Sequence, residues 1–125
     1  MSDSAVFPRA LPVNVSTGDS RPLALGQVML SPEGYWGRWQ EVNGQQIIWH
    51  CLKWIEKSGW LKNFWHSAQG NLPEHREGRV FTDADVYKLL EALSWEYART
   101  QSAFVDERIR EIAAIIARAQ EPDGY

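Results

Sequence analysis

The chain has 125 residues, 44% of them hydrophobic and 23% charged, which is enough for one domain and too few for two. Thirteen basic side chains against sixteen acidic ones give a net charge of −3, which excludes the basic surface from which nucleic-acid-binding proteins draw most of their affinity. The N-terminus lacks a signal-peptide pattern and no apolar run approaches the roughly 20 residues of a membrane span, so we expect a cytoplasmic protein without membrane or nucleic-acid partners.

The first part of the chain has little helical pattern. Residues 1–24 contain three of the six prolines, and because proline fixes φ and removes a backbone donor, we expect a flexible lead-in. Residues 25–30 alternate loosely between apolar and polar side chains and precede a turn signal at residues 31–34, which predicts one short strand. That strand has no obvious partner in the chain and would need one from elsewhere.

Two helices are predicted next. Within residues 35–58, apolar side chains recur at i, i+3, i+4 and i+7 from Ile48, and Gly59 is a typical residue for closing a helix. A shorter helix over residues 60–68 follows. Residues 70–80 are polar and bounded by glycines, which predicts a loop.

The last two predicted helices cover residues 82–97 and 102–119. The Thr82 hydroxyl is expected to cap the first of them, with Asp85 completing a variant of the capping box. The short turn over residues 99–102 would join the two helices into an antiparallel hairpin. Together these segments predict an all-α fold.

The composition is unusual in its tryptophans. Six of the seven fall within residues 36–65, and indoles at helical spacing most often pack in cores or between helices. Several of them lie off the main apolar stripe, however, so a bundle of three or four helices would leave some exposed. Large exposed apolar patches mark interfaces, which favours a missing partner and allows self-association.

Few residues suggest a metal or catalytic site. Cys51 is the single cysteine, so the chain can form neither an internal disulfide nor a zinc site built from several cysteines. His50 and Cys51 are adjacent and therefore point about 100° apart on a helix, and His66 has no partner at ligand spacing. Asp83 and Asp85 are weak candidates for substrate binding as a carboxylate pair, although two acidic residues at a helix start more often serve as cap and dipole partners.

Four stretches together resemble the opening of glycoside hydrolase family 127, the β-L-arabinofuranosidase-like enzymes. The most specific is residues 78–92, which resemble the family pattern Gly-x-Val-Phe-x-Asp-Ser-Asp-Val-Tyr-Lys-Trp-Leu-Glu-Ala, with Ala84 and Leu89 in place of the usual Ser and Trp. The other three occur in the same order and at the same spacing as in the family. They are residues 32–43, 58–64 and 119–125.

The resemblance implies a fold and an activity. Family members are several times longer, with an (α/α)6 barrel followed by β-rich domains, so residues 25–125 would be the first strand and first helices of such a barrel. They remove terminal β-L-arabinofuranosyl groups from carbohydrate substrates with retention of configuration. Their cysteine nucleophile, and the cysteines and glutamate that hold zinc, lie far downstream. By this resemblance the chain is an N-terminal fragment with no catalytic or metal residue of its own, and zinc is expected only in a full-length parent.

Two alternatives remain. A free-standing helical interaction module would use the tryptophan-rich face to bind a protein partner or a second copy. A lectin-like sugar-binding protein would use the same indoles to stack on sugar rings, and it rests on the tryptophans alone.

Overall fold

The computed structural model describes residues 23–124, and within that range the regular structure is entirely helical. The predicted all-α class is therefore confirmed. The expectations for residues 1–22 and for Tyr125 lie outside the described residues. The elements are a 3-10 turn at Leu25–Gln27, α1 at Tyr35–Val42, a π-helical turn at Asn43–Ile47, α2 at Ile48–Lys57, α3 at Trp60–Ala68, α4 at Leu72–His75, α5 at Asp83–Thr100 and α6 at Ala103–Ala119.

The predicted strand at residues 25–30 is not confirmed, since residues 23–124 contain no strand. Leu25–Gln27 forms a 3-10 turn in which the Gln27 side chain accepts a hydrogen bond from the backbone N–H of Ala24, at 2.8 Å. Val28 continues in extended backbone geometry, but a strand is stable only when its N–H and C=O groups pair with a neighbour. No other segment of residues 23–124 offers such a neighbour.

The helix predicted over residues 35–58 forms from Tyr35 to Lys57, with one π-helical turn inside it. At that turn the carbonyl oxygen of Gly44 accepts a hydrogen bond of 2.8 Å from the indole N–H of Trp49. Gly44 is buried, and a Cβ there would overlap the carboxylate of Glu96 on α5. The wider turn therefore lets the backbone approach α5 closely. Gly59, at φ +75°, then begins the next helix in left-handed geometry.

The core lies where α2, α3, α5 and α6 meet. Helix α6 packs against α3 and α5, and α2 packs against α5. The predicted apolar faces supply the buried side chains, except that Cys51 on α2 and Trp65 and Ala68 on the predicted face of α3 are exposed. Val86 and Leu93 on α5 are the most completely buried. The apolar core consists of Ile48, Leu52, Ile55, Phe64, Val86, Leu89, Leu93, Val105 and Ile112.

The predicted hairpin of the last two helices is confirmed. Helix α5 runs to Thr100, and Gln101 then adopts a left-handed conformation with φ 54° and donates its backbone N–H to the Tyr97 carbonyl at 2.8 Å. Ser102 is extended, so the chain reverses within two residues and α6 begins at Ala103. The reversal lays α6 alongside α5.

Two local predictions before α5 are wrong. Residues 70–80 are not a simple loop, because Pro73 near the start of a helix favours the single turn α4, Leu72–His75. The Thr82 hydroxyl does not cap α5 either. It donates to the carbonyl oxygen of Arg79 at 3.2 Å, and the Thr82 backbone is already helical at φ −69° and ψ −19°. An N-cap side chain needs extended backbone at its own residue to reach the following N–H groups.

Much of the aromatic surface is exposed, as expected from the off-stripe tryptophans. Trp49 and Trp60 are half-buried, and the other five indoles are exposed, with Trp36 the most accessible at 68%. Tyr35 packs its ring edge against Trp36, with centroids 5.0 Å apart, but both rings face outward. None of the helices in residues 23–124 is long and apolar enough to cross a membrane.

Candidate functional site

A groove of about 540 Å³ lies between α3, the start of α5 and the end of α6. We call it the α5 groove. It is open to solvent along one side, and the segment between α4 and α5 forms its rim. Six side chains in its lining differ enough in chemistry to recognise a ligand. They are Trp60, Phe64, Arg76, Arg79, Asp83 and Tyr87.

The rim is fixed to α3 by a pair of hydrogen bonds. The Asn63 amide donates to the carbonyl oxygen of Glu77 at 2.8 Å and accepts from the backbone N–H of Glu77 at 2.9 Å. Next to it, Gly78 has φ +79°, and a Cβ there would lie 2.8 Å from the indole nitrogen of Trp60. The rim therefore needs glycine at residue 78, and it holds Arg76 and Arg79 at the groove.

Asp83 and Tyr87 lie one turn apart on α5 and both line the groove. Tyr87 packs edge-on against Phe64, with ring centroids 5.8 Å apart. Burial, and then the Asp83 carboxylate, raise the pKa of Tyr87 above its ordinary value. The Tyr87 hydroxyl can donate a hydrogen bond to a ligand, and the raised pKa extends its protonated form to more alkaline pH.

The two aspartates that the sequence singled out are placed differently. Asp83 lines the α5 groove. Asp85 is not among the lining residues, and its carboxylate pairs with the Lys88 ammonium at 3.0 Å. The structure thus brings Asp83 together with Tyr87 and the two arginines, and it brings Asp85 to Lys88.

Comparison with known proteins gives one finding. The family model described as beta-L-arabinofuranosidase, GH127 catalytic domain, matches residues 27–125, which is most of the chain. The chain belongs to glycoside hydrolase family 127. No curated protein and no solved structure gives a significant match.

The family match includes every residue named in the lining of the α5 groove. The resemblance read from residues 32–43, 58–64, 78–92 and 119–125 is thereby confirmed. The match supports a glycoside-hydrolase-like function.

The described residues do not fit the zinc ion that the family implies. No group of three or more histidine, cysteine, aspartate or glutamate side chains within residues 23–124 could hold a metal. Cys51 is exposed on α2. His66 is held by contacts of another kind, with its Nδ1 3.1 Å from the Asn71 Oδ1 and its ring stacked on His75 at a centroid distance of 4.9 Å.

Sequence reasoning missed the two arginines of the groove. Arg76 and Arg79 lie in the segment predicted to be a polar loop, where charged side chains usually serve only solvation. The sequence did contain a usable signal, since the two arginines lie on either side of Gly78, within seven residues before Asp83. The sequence does not reveal the pair of hydrogen bonds between the Asn63 side chain and the Glu77 backbone, which we call the Asn63 clamp and which fixes this segment beside α5.

The first prediction concerns the ionisation of Tyr87. We expect Asp83→Asn to lower the pKa of Tyr87, because removing a nearby negative charge makes the phenolate less unfavourable. The burial contribution remains, so the pKa should stay above the ordinary value. A pH titration of tyrosine labelled with ¹³C at Cζ measures it. Asp85→Asn is the matched control and should leave the Tyr87 titration unchanged.

The same shift determines how stability depends on alkaline pH. Because the folded-state pKa of Tyr87 is raised, its contribution to stability is complete below the ordinary value of 10.0 and is lost as the pH rises through the folded pKa. Asp83→Asn should therefore narrow the pH range over which stability falls, because it lowers the folded-state pKa of Tyr87 toward the ordinary value. A Tyr87 titration that is identical in the wild type and the Asp83 variant would contradict the assignment.

Proposed function

We propose that this chain forms the first helices of an (α/α)6 barrel in a glycoside hydrolase that removes terminal β-L-arabinofuranosyl groups. The observation that carries the proposal is the match of the family's catalytic domain over residues 27–125. The cysteine nucleophile and the cysteine and glutamate ligands of zinc would come from later parts of the domain. This chain alone is then expected to be inactive.

The distribution of apolar surface supports a larger domain. Helices in a barrel of helical pairs bury side chains on more than one face, because each helix contacts neighbours on both sides. Here α1 exposes Trp36 and Trp39, and α2 and α3 expose Trp54 and Trp65, each about half accessible or more. Further helices packed on these faces would remove this surface from water.

The α5 groove supports a role in sugar contact. Trp60 and Tyr87 line it with aromatic side chains, which can pack against sugar rings, and the Asp83 carboxylate can accept hydrogen bonds from hydroxyl groups. We assign the sugar contact in the groove to Asp83 and not to Asp85, since Asp85 is engaged by Lys88.

The test compares the 125-residue chain with a chimera in which the remaining barrel and zinc cluster of a family member follow residue 125. Release of L-arabinose from a chromogenic β-L-arabinofuranoside is measured for both. We expect activity in the folded chimera and none in the chain alone. Activity of the chain alone that disappears in Cys51→Ser would contradict the proposal, and so would a folded, zinc-loaded chimera without activity.

A second candidate function is a helical interaction module. It is favoured by the exposed aromatic cluster of Tyr35, Trp36 and Trp39 on α1. It predicts cooperative unfolding and a discrete oligomer of this chain that forms through this face. Sedimentation equilibrium of the wild type and of Trp36→Ala tests it, since the module requires the variant to dissociate into monomers.

A further inference from the structure

The two arginines of the α5 groove have no ionic partner within the described residues. Among the other arginines of residues 23–124, Arg99, Arg108 and Arg110 each pair with an acidic side chain on their own helix, whereas Arg38 and Arg118 form no ion pair there. Arg76 and Arg79 form no ion pair with a carboxylate in residues 23–124, although both line the groove. Their guanidinium groups are available to a ligand.

The groove also contains acidic side chains, which limits the kind of ligand that fits. Asp83 and Glu121 line it, so its lining carries two cationic and two anionic groups. A ligand that had only an anionic group would leave both carboxylates without a hydrogen-bond donor. A ligand with hydroxyl groups as well as one anionic group uses all four, because carboxylates accept hydrogen bonds from hydroxyls while guanidinium groups bind an anion.

Aromatic side chains in the groove favour a ligand that contains a sugar ring. Trp60 and Tyr87 line the groove with aromatic side chains, and aromatic rings can pack against the apolar face of a sugar ring. The Tyr87 hydroxyl is also a hydrogen-bond donor. Since the Asn63 clamp and Gly78 hold the rim in place, the arginines are presented to the same space as these rings.

We propose that the α5 groove binds a sugar that carries a carboxylate, with Arg76 and Arg79 pairing with that group. The inference rests on the proposed function, because it takes the groove to be a site of sugar contact. It goes beyond that function by placing in the groove an acidic sugar residue, distinct from the neutral arabinofuranosyl group that is removed. Arginine is suited to this task because its planar fork matches the two oxygens of a carboxylate.

The experiment uses two ligands that differ at one position. Methyl β-D-glucuronide and methyl β-D-glucoside share their pyranose ring and the hydroxyl groups at C2, C3 and C4, and they differ at C6, which is a carboxylate in the former and a hydroxymethyl group in the latter. Each is titrated into the ¹⁵N-labelled 125-residue chain, with the Trp60 indole and Gly78 backbone signals as reporters of the groove. We expect the glucuronide to bind at least about tenfold more tightly, as a charge-assisted hydrogen-bonded pair implies, and to weaken as salt is added.

Variants test the assignment of the arginines. Arg76→Gln and Arg79→Gln should each remove most of the preference for the glucuronide, while Arg110→Gln, on the outer face of α6, should retain it. Equal binding of both sugars, unchanged by the groove variants, would overturn the inference and leave sugar contact intact. Acetate binding as tightly as the glucuronide would overturn the sugar requirement. Binding of neither sugar would overturn the inference, while the chimera assay still decides the proposed activity independently.

Discussion

Leu93→Ala is expected to lower the free energy of unfolding by about 2–5 kcal/mol, the range measured for leucine truncation in well-packed cores. Leu93 is fully buried on α5, and its neighbours in the core come from several helices. Removing its side chain takes away apolar contacts and leaves a cavity that rigid helices fill only partly. Typical single domains have about 5–15 kcal/mol of stability in total, so the loss is large.

Urea unfolding followed by far-ultraviolet circular dichroism measures this loss. Leu23→Ala is the matched control, because Leu23 is 62% exposed and the same truncation there should change stability by less than about 0.5 kcal/mol. If the Leu93 variant is unfolded without urea, trimethylamine N-oxide can be added to all three proteins to restore a transition. A Leu93 variant that unfolds at the same urea concentration as the Leu23 variant would contradict the packing described for α5.

The sequence predicts this core well, because apolar side chains three and four residues apart lie on one face of a helix, and that face is the one that becomes buried. Val86, Leu89 and Leu93 recur at helical spacing, and all three are buried. The hairpin is predicted for the same reason, since two adjacent apolar stripes joined by a short turn can bury each other only when the helices lie antiparallel. Long-period patterns therefore identify which helices form and which faces they bury.

Predictions that depend on a single contact are less successful. Alternating residues at 25–30 satisfy a strand pattern, but no pairing partner lies in the described chain. Thr82 has the right side chain for a cap, but its backbone conformation is set by the preceding turn. Cys51 fits the stripe of α2 and is nevertheless exposed, because no helix within residues 23–124 covers that side.

In the candidate site, too, the features that follow a sequence pattern are predicted, and those that depend on a single contact are not. The motif of residues 78–92 indicates the family and directs attention to Asp83. That Asp83 shares a groove with Arg76, Arg79 and Tyr87, while Asp85 does not, depends on the fixed rim of the groove. The Asn63 amide spans 14 residues to reach Glu77. No periodic pattern encodes a pairing over that separation.

Arg99→Ala is expected to destabilise the chain by about 1–3 kcal/mol, because it leaves a buried carboxylate without its partner. Glu96 is 9% exposed, and its two carboxylate oxygens accept hydrogen bonds from Arg99 at 2.6 and 3.0 Å. Gly44 in the π-helical turn closes the other side, where even a methyl group would overlap the carboxylate. The carboxylate therefore cannot swing out to water without moving that turn.

A second substitution separates the loss of charge pairing from the loss of packing. Glu96→Gln in the Arg99→Ala background should recover part of the stability, because a neutral amide costs less to bury than an unpaired carboxylate. Arg110→Ala is the matched control. Its pair with Asp106 has a similar length, 2.9 Å, but the arginine is 77% exposed, and exposed pairs contribute little. If the Arg99 and Arg110 variants unfold at the same urea concentration, Glu96 is solvated in solution and the close contact between the π-helical turn and α5 does not form.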